Sequence, residues 1–179
     1  IDGAAKHYKV VFGIILGSGT GGGLVINKKI LSGSNNLTGE WGHLSLPIFG
    51  IFSDKKYVKK NMHEMQIQKF ISGKGLEKLY GKKISAHKIF NKKNKNFRDK
   101  KFIKEFKLRL ARSLTTLIYT IDPDAIVFGG GLSNELNFLN EIKSLLIKSL
   151  KIKDLNTIFL KPQFGDASGV RGAAMLGRK

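Results

Sequence analysis

Not one cysteine occurs among the 179 residues. That excludes disulfides and any thiolate-ligated metal, and it suits a reducing compartment, so a cytoplasmic protein is expected. No apolar run approaches the length of a bilayer span, and no membrane partner is expected. The first residue is Ile1, not Met, and no charged leader precedes an apolar segment. No secretory leader is therefore expected, and the chain is read as starting inside a larger protein. Acidic residues are few, 13 against 32 basic ones, for a formal charge of +19. The basic residues are 27 Lys and only five Arg: Arg98, Arg109, Arg112, Arg171 and Arg178. Nucleic-acid recognition favours the planar fork of Arg. A dispersed Lys excess accompanied by Asn and Ile reads as compositional drift and argues against a specific nucleic-acid face, leaving only non-specific attraction to polyanions. What is present is 41% hydrophobic residues, enough for a sizeable core in one domain or a domain and a half.

KVVFGIIL at 9–16 is an apolar, β-branched run bounded by glycine and reads as a buried strand. GSGTGGG at 17–23 reads as a glycine loop, and LVINKKILSG as strand, turn at Asn27-Lys28-Lys29, strand. Residues 63–72 have a helical pattern that Ser72-Gly73-Lys74-Gly75 interrupts, and 82–101 is strongly basic and uninformative. A long amphipathic helix over about 99–121 follows from Phe102, Phe106, Leu110, Leu114, Leu117, Ile118 and Ile121, and stops at Asp122-Pro123. A strand at 125–128, a turn at Gly129-Gly130-Gly131, a helix over 135–150, a strand near 156–160 and a closing helix over 168–176 complete an α/β pattern.

Three constellations can carry chemistry. In GSGTGGG, stacked backbone N–H groups can cradle phosphate oxygens, and Ser18 and Thr20 add hydroxyls. The motif lacks both the Lys-Ser/Thr of a P-loop and the helix that follows a dinucleotide fingerprint, so a tight turn is an equal reading. Gly129 to Gly131 sits after a strand, where α/β ligands gather, or is simply a crossover turn. TGEWGHLSLP at 38–47 places Glu40 and His43 where they could read sugar hydroxyls, which both donate and accept. A metal needs three or four ligands, and only Asp54, His63 and Glu64 lie near in sequence, at no recognisable spacing. A polar turn anchored by Trp41 is the structural alternative.

Together the segments IDGAAK, GSGTGGG with LVINKKILSGSN, GEWGHLSLP, FISGKGLEKLYG, IDPDAIVFGGGLSN and GDASGVRGAA resemble the ROK family of sugar kinases, most closely its bacterial fructokinase-like branch. They cover roughly half of the chain, in the family's order. The resemblance implies an α/β, actin-like and hexokinase-like (ASKHA) ATPase lobe, with a mixed sheet and flanking helices. It implies ATP and Mg2+ as cofactors, a hexose substrate with fructose favoured, and a homodimer in the full-length enzyme. Gly17, Ser18, Gly19, Thr20 and Gly21 would approach the β- and γ-phosphates. Gly129, Gly130, Gly131 and Leu132, with Ser133 near, would line the adenosine side. Asn35, Glu40 and His43 would hydrogen-bond the sugar.

Two departures shape the expectation. The family's zinc motif has its three cysteine positions here at Lys59, Asn61 and Gln66, within a diverged stretch at about 48–69, so no zinc is expected. The glutamate of that motif becomes Gln68, which keeps an acceptor but loses the charge, so weaker sugar binding is expected. The family's general-base Asp and its first phosphate hairpin precede the IDGAAK match and would lie upstream of Ile1, so no residue of this chain is expected to be the base. Loss of a positioned base costs roughly 10²–10⁴ in rate. Residues 1–179 therefore read as the C-terminal lobe of a ROK kinase, inactive by itself, that phosphorylates a hexose within a two-lobed enzyme. The rival readings are a non-catalytic remnant that binds sugar or nucleotide, and a fragment of a ROK-type repressor.

Overall fold

The computed structural model describes residues 3–47, 65–81, 84–135 and 137–165. Five strands form one mixed sheet: β1 Val10–Leu16, β2 Thr20–Ile26, β3 Lys29–Leu31, β4 Ala125–Gly129 and β5 Ile158–Leu160. Their order is β3-β2-β1-β4-β5. The first three are joined by hairpins and run antiparallel, whereas β4 and β5 run parallel to β1. Parallel neighbours need a crossover. Helices α1 Gln68–Ile71, α2 Gly73–Tyr80, α3 Ala86–Phe90 and α4 Phe97–Ile121 lie between β3 and β4, and α5 Leu139–Leu150 lies between β4 and β5.

Alternate residues Phe12, Ile14 and Leu16 of β1 are buried with Ile126 and Phe128 of β4, in one core with Phe106, Leu110 and Leu114 of α4 and Ile142 and Leu146 of α5. Asp124 sets the register at the start of this pair: its Oδ2 accepts the N–H groups of Lys9 and Val10 at 2.9 and 2.8 Å. Among the described residues no helix is long and apolar enough to cross a membrane.

Several boundaries differ from the sequence reading. GSGTGGG is not one loop, because Thr20 to Gly23 pair with Leu16 to Gly13 as the first half of β2. Strand pairing uses backbone groups alone, so glycines join it once a partner is in register. Ser72 does interrupt the helix, ending α1 in an extended conformation, but Gly73-Lys74-Gly75 open a second helix, since Ser72 also caps α2 by accepting the Gly75 N–H at 3.1 Å. The basic stretch contains α3 and the start of α4, whose first turn is closed by a capping box between Asn96 and Asp99. Residues 131–135 form a 3-10 turn, which delays α5 to Leu139. The closing helix expected over 168–176 lies outside the described residues. So does Ile1, the point before which the general base is expected.

The β2–β3 hairpin turns on Asn27 and Lys28, at φ 50° and 64°. Both lie in the left-handed region, where a turn of this kind favours Gly at the second position. Lys28→Gly is therefore expected to stabilise the fold by about 1 kcal/mol, read as a higher denaturant midpoint at unchanged m.

Asp99 is fully buried. It accepts the Tyr80 hydroxyl at 2.5 Å, Lys92 Nζ at 3.0 and 3.1 Å and the Asn96 N–H at 3.1 Å. The Tyr80 hydroxyl, then Lys92 and the Asn96 N–H, hold its carboxyl down at about 2 from an ordinary 3.8, against the opposing effect of burial. A depressed carboxyl contributes stability that is complete above its ordinary value and is lost as pH falls through the folded value. Melting temperature should therefore drop as pH is lowered from 3.8 to about 2, and Asp99→Asn should flatten that limb. An equally steep limb in the variant would count against this assignment.

Candidate functional site

The β1–β2 turn is Gly17-Ser18-Gly19, closed by the Gly17 N–H donating to Gly19 O at 3.0 Å. It is fastened to the start of α2, because the N–H groups of Gly73 and Lys74 donate to Gly17 O at 2.8 Å and Ser18 O at 3.3 Å. Ser18 and Gly19 are exposed. Thr20 is not: it is buried beneath Gly42, and its Oγ1 has no hydrogen-bond partner among the described residues. Of the two hydroxyls, only that of Ser18 stands open to a phosphate. Gly21 serves the fold, its carbonyl accepting Trp41 Nε1 at 2.9 Å.

The second glycine turn lies beside the first. Gly129 pairs with Ile15 in the parallel register. Gly130, at φ 87°, lies so close to Leu16 that a Cβ would come within 2.6 Å of its carbonyl oxygen. The C-terminal ends of β1 and β4 thus bring together two glycine motifs far apart in the chain, at the edge where α/β ligands collect. Gly131 is exposed, whereas Leu132 is buried and anchors the turn in the core rather than lining an open face. Ser133 closes the turn, its N–H and Oγ both donating to Gly130 O at 2.9 and 2.7 Å.

TGEWGH lies flat on β2. A Cβ on Gly39 would come within 2.3 Å of Gly22 O, and one on Gly42 within 2.1 Å of Thr20 O. Trp41 is buried edge-on to Phe12, with ring centroids 6.3 Å apart. With the indole pinned inward, Glu40 and His43 on either side of it are exposed. Residues 44–46 then pair with 65–67 through Leu46 N to Met65 O and Ile67 N to Leu44 O, both 2.8 Å. That pairing carries Gln66 to His43.

The result is a row of four side chains, three of them linked by hydrogen bonds. Gln68 Nε2 donates to Gln66 Oε1 at 3.1 Å, which turns the amide nitrogen of Gln66 toward His43 Nδ1 at 3.2 Å. On its other side His43 Nε2 faces Glu40 Oε2 at 3.5 Å. Gln68 also reaches the β1–β2 turn: a Cβ on Gly19 would lie 3.8 Å from its Oε1. Asn35 stays apart, exposed in the turn after β3 and hydrogen-bonded to none of the four among the described residues.

Gln66 is the residue that sequence reasoning missed. Along the chain it is only a position where a zinc thiolate is replaced, yet in the fold it links His43 to Gln68. A signal was available, since a residue standing where a metal would have held His43 must satisfy that imidazole in some other way. Lys59 and Asn61 lie outside the described residues. Among the described residues, no group of three or more His, Asp or Glu could hold a metal ion.

Known proteins resemble this chain along nearly its whole length. It is 37% identical to the N-acetyl-D-glucosamine kinase of Yersinia enterocolitica, over 98% of this chain and 61% of that protein. It is 38% identical to the enzyme of that name from Pectobacterium carotovorum, over 98% and 60%. It therefore spans about three fifths of the length of these relatives. A ROK family glucokinase from Streptomyces griseus, solved with glucose and AMPPNP, superposes with a TM-score of 0.73 at 22% identity, covering 98% of this chain and 62% of that one. The expected actin-like, hexokinase-like fold is thus the one observed. The fructokinase-like branch is not supported, since these relatives are N-acetylglucosamine kinases. The family model for ROK matches residues 1–179, and the chain belongs to the ROK family.

Proposed function

We propose that this chain supplies the phosphate-holding and sugar-reading surfaces of an ATP-dependent hexose kinase whose acceptor is N-acetylglucosamine. One observation carries the reading: the side chain of Gln68 joins the hydroxyl-reading set to the phosphate-side turn at Gly19. Donor and acceptor would therefore meet within the reach of one amide. Glu40 would accept from a sugar hydroxyl, His43 Nε2–H would donate, and Gln68 would do either, so a polyol finds both partners it needs. Gly19, exposed at the tip of the turn, would let backbone approach phosphate oxygens, with the Ser18 hydroxyl beside it. Gly130 and Gly131 would take the adenosine side. The acceptor hydroxyl attacks the γ-phosphorus, the bond to the ADP oxygen breaks, and the hydroxyl proton passes to a base that none of the assigned residues provides. Magnesium would arrive with the nucleotide and offset the charge on its phosphates.

The acceptor rests on the N-acetylglucosamine kinases of Yersinia and Pectobacterium, which weigh against the fructose expected from the motifs. A homodimer remains part of the proposal. The test uses the protein as expressed from its own gene, with ADP release measured against N-acetylglucosamine, glucose and fructose. Glu40→Ala should lower kcat/KM for the hexose roughly 10- to 100-fold through loss of a charged hydrogen bond. No hexose-dependent ADP release, or an unchanged Glu40→Ala, would sink the reading. A preference for fructose would restore the first expectation.

A further inference from the structure

Beside the phosphate-side turn is a cleft of about 590 Å3 between that turn and α1–α2. Three lysines line it, Lys69 in α1 and Lys74 and Lys78 on α2, together with Gln68 of α1 and with Ser18 and Gly19 of the turn. No carboxylate is among the described residues that line it. Lys74 and Lys78 are four residues apart, so they share a helix face and repel each other. The carboxylate on the same helix is occupied elsewhere, Glu77 Oε1 accepting the Ala86 N–H at 3.1 Å. Two lysines do have carboxylate partners, Lys92 in Asp99 and Lys107 in Glu141. Among the described residues these three have none.

The start of α2 does not itself provide the binding groups. Its first N–H groups are already taken: Gly73 by Gly17 O, Lys74 by Ser18 O, Gly75 by Ser72 Oγ and Leu76 by Ser72 O. An anion in this cleft must be held by ammonium groups and the Ser18 hydroxyl. Three cations gathered without a counter-charge around a turn with exposed Ser18 and Gly19 call for a ligand with several negative charges.

We propose that Lys69, Lys74 and Lys78 form a cationic wall that binds the phosphate chain of the donor nucleotide, extending the Gly17–Gly19 turn along one side. This rests on the kinase reading and deepens it. Each ammonium offers a flexible point charge with three donors, suited to following a phosphate chain whose charge shifts as the terminal group departs.

The test compares the protein expressed from its own gene with its Lys74→Gln/Lys78→Gln and Lys78→Glu variants, in which surface lysines are replaced and folding is not at stake. Calorimetric titration with inorganic tripolyphosphate, ATP and adenosine is combined with KM values for ATP and hexose. In the double variant, tripolyphosphate and ATP should bind at least about ten-fold more weakly, with adenosine and hexose unchanged. Lys78→Glu alone should weaken tripolyphosphate at least as much as Lys78→Gln would. Unchanged tripolyphosphate and ATP affinity would overturn the wall, as would an equal loss for adenosine. Lysine-dependent tripolyphosphate binding in a protein without kinase activity would support the wall and overturn the kinase reading alone.

Discussion

Gly42→Ala is expected to lower kcat/KM for the hexose about 10²-fold while leaving ATP binding largely intact. The Cβ would be placed 2.1 Å from Thr20 O and 3.0 Å from Thr20 C, both backbone atoms. The strand beneath cannot give way easily, since Thr20 is paired with Leu16 of β1 and its side chain is buried. The 3-10 turn Trp41–His43 must lift instead, and it takes with it the Trp41 Nε1 bond to Gly21 O and the two side chains flanking the indole. A displacement near 1 Å at groups that position a reacting hydroxyl is worth about that factor. The phosphate-side turn is fastened separately, by Gly73 and Lys74 of α2, so KM for ATP should move far less than KM for the hexose. Equal changes in both would show that the turn does not act as a sugar-positioning element, and wild-type kinetics would refute its contact with β2.

The second large effect is on stability. Phe106→Ala should cost about 3–5 kcal/mol, read as a shift in denaturant midpoint at constant m. Phe106 is fully buried, edge-on to Phe90 at 5.2 Å and to Phe138 at 6.2 Å. Its ring touches both α3 and the residue before α5, so truncation opens a cavity that three separate elements would have to close. Phe97, the first residue of α4 and 83% exposed, is the control. Its replacement by Ala should change stability by no more than about 0.5 kcal/mol. A loss below about 1 kcal/mol at Phe106 would mean that the aromatic cluster is not a unit.

These two phenylalanines mark how far sequence reasoning reaches. The three- and four-residue spacing of Phe102, Phe106, Leu110 and Leu114 makes a helix with an inward face legible, because periodicity is a local property. Its true start is a side-chain cap between Asn96 and Asp99, and Asp99 is also the buried partner of Tyr80 and Lys92. Contacts of that kind depend on residues far apart in the chain. For the same reason the glycines of β2 read as a loop: nothing in GTGGG itself announces that Leu16 to Gly13 will pair with it.

The site follows the same division. Motifs in the right order were enough to name the family, to mark Ser18, Gly19, Gly129 to Gly131, Glu40, His43 and Gln68, and to remove zinc cysteines from consideration. Spacing along the chain cannot say which way a side chain faces. Only the packed structure turned Thr20 inward beneath Gly42, buried Leu132, left Asn35 aside and set Gln66 between His43 and Gln68. Residue types and their order determine which chemistry is on offer. The tertiary contacts, made where backbones approach closely enough to forbid a Cβ, decide which groups stand together to perform it.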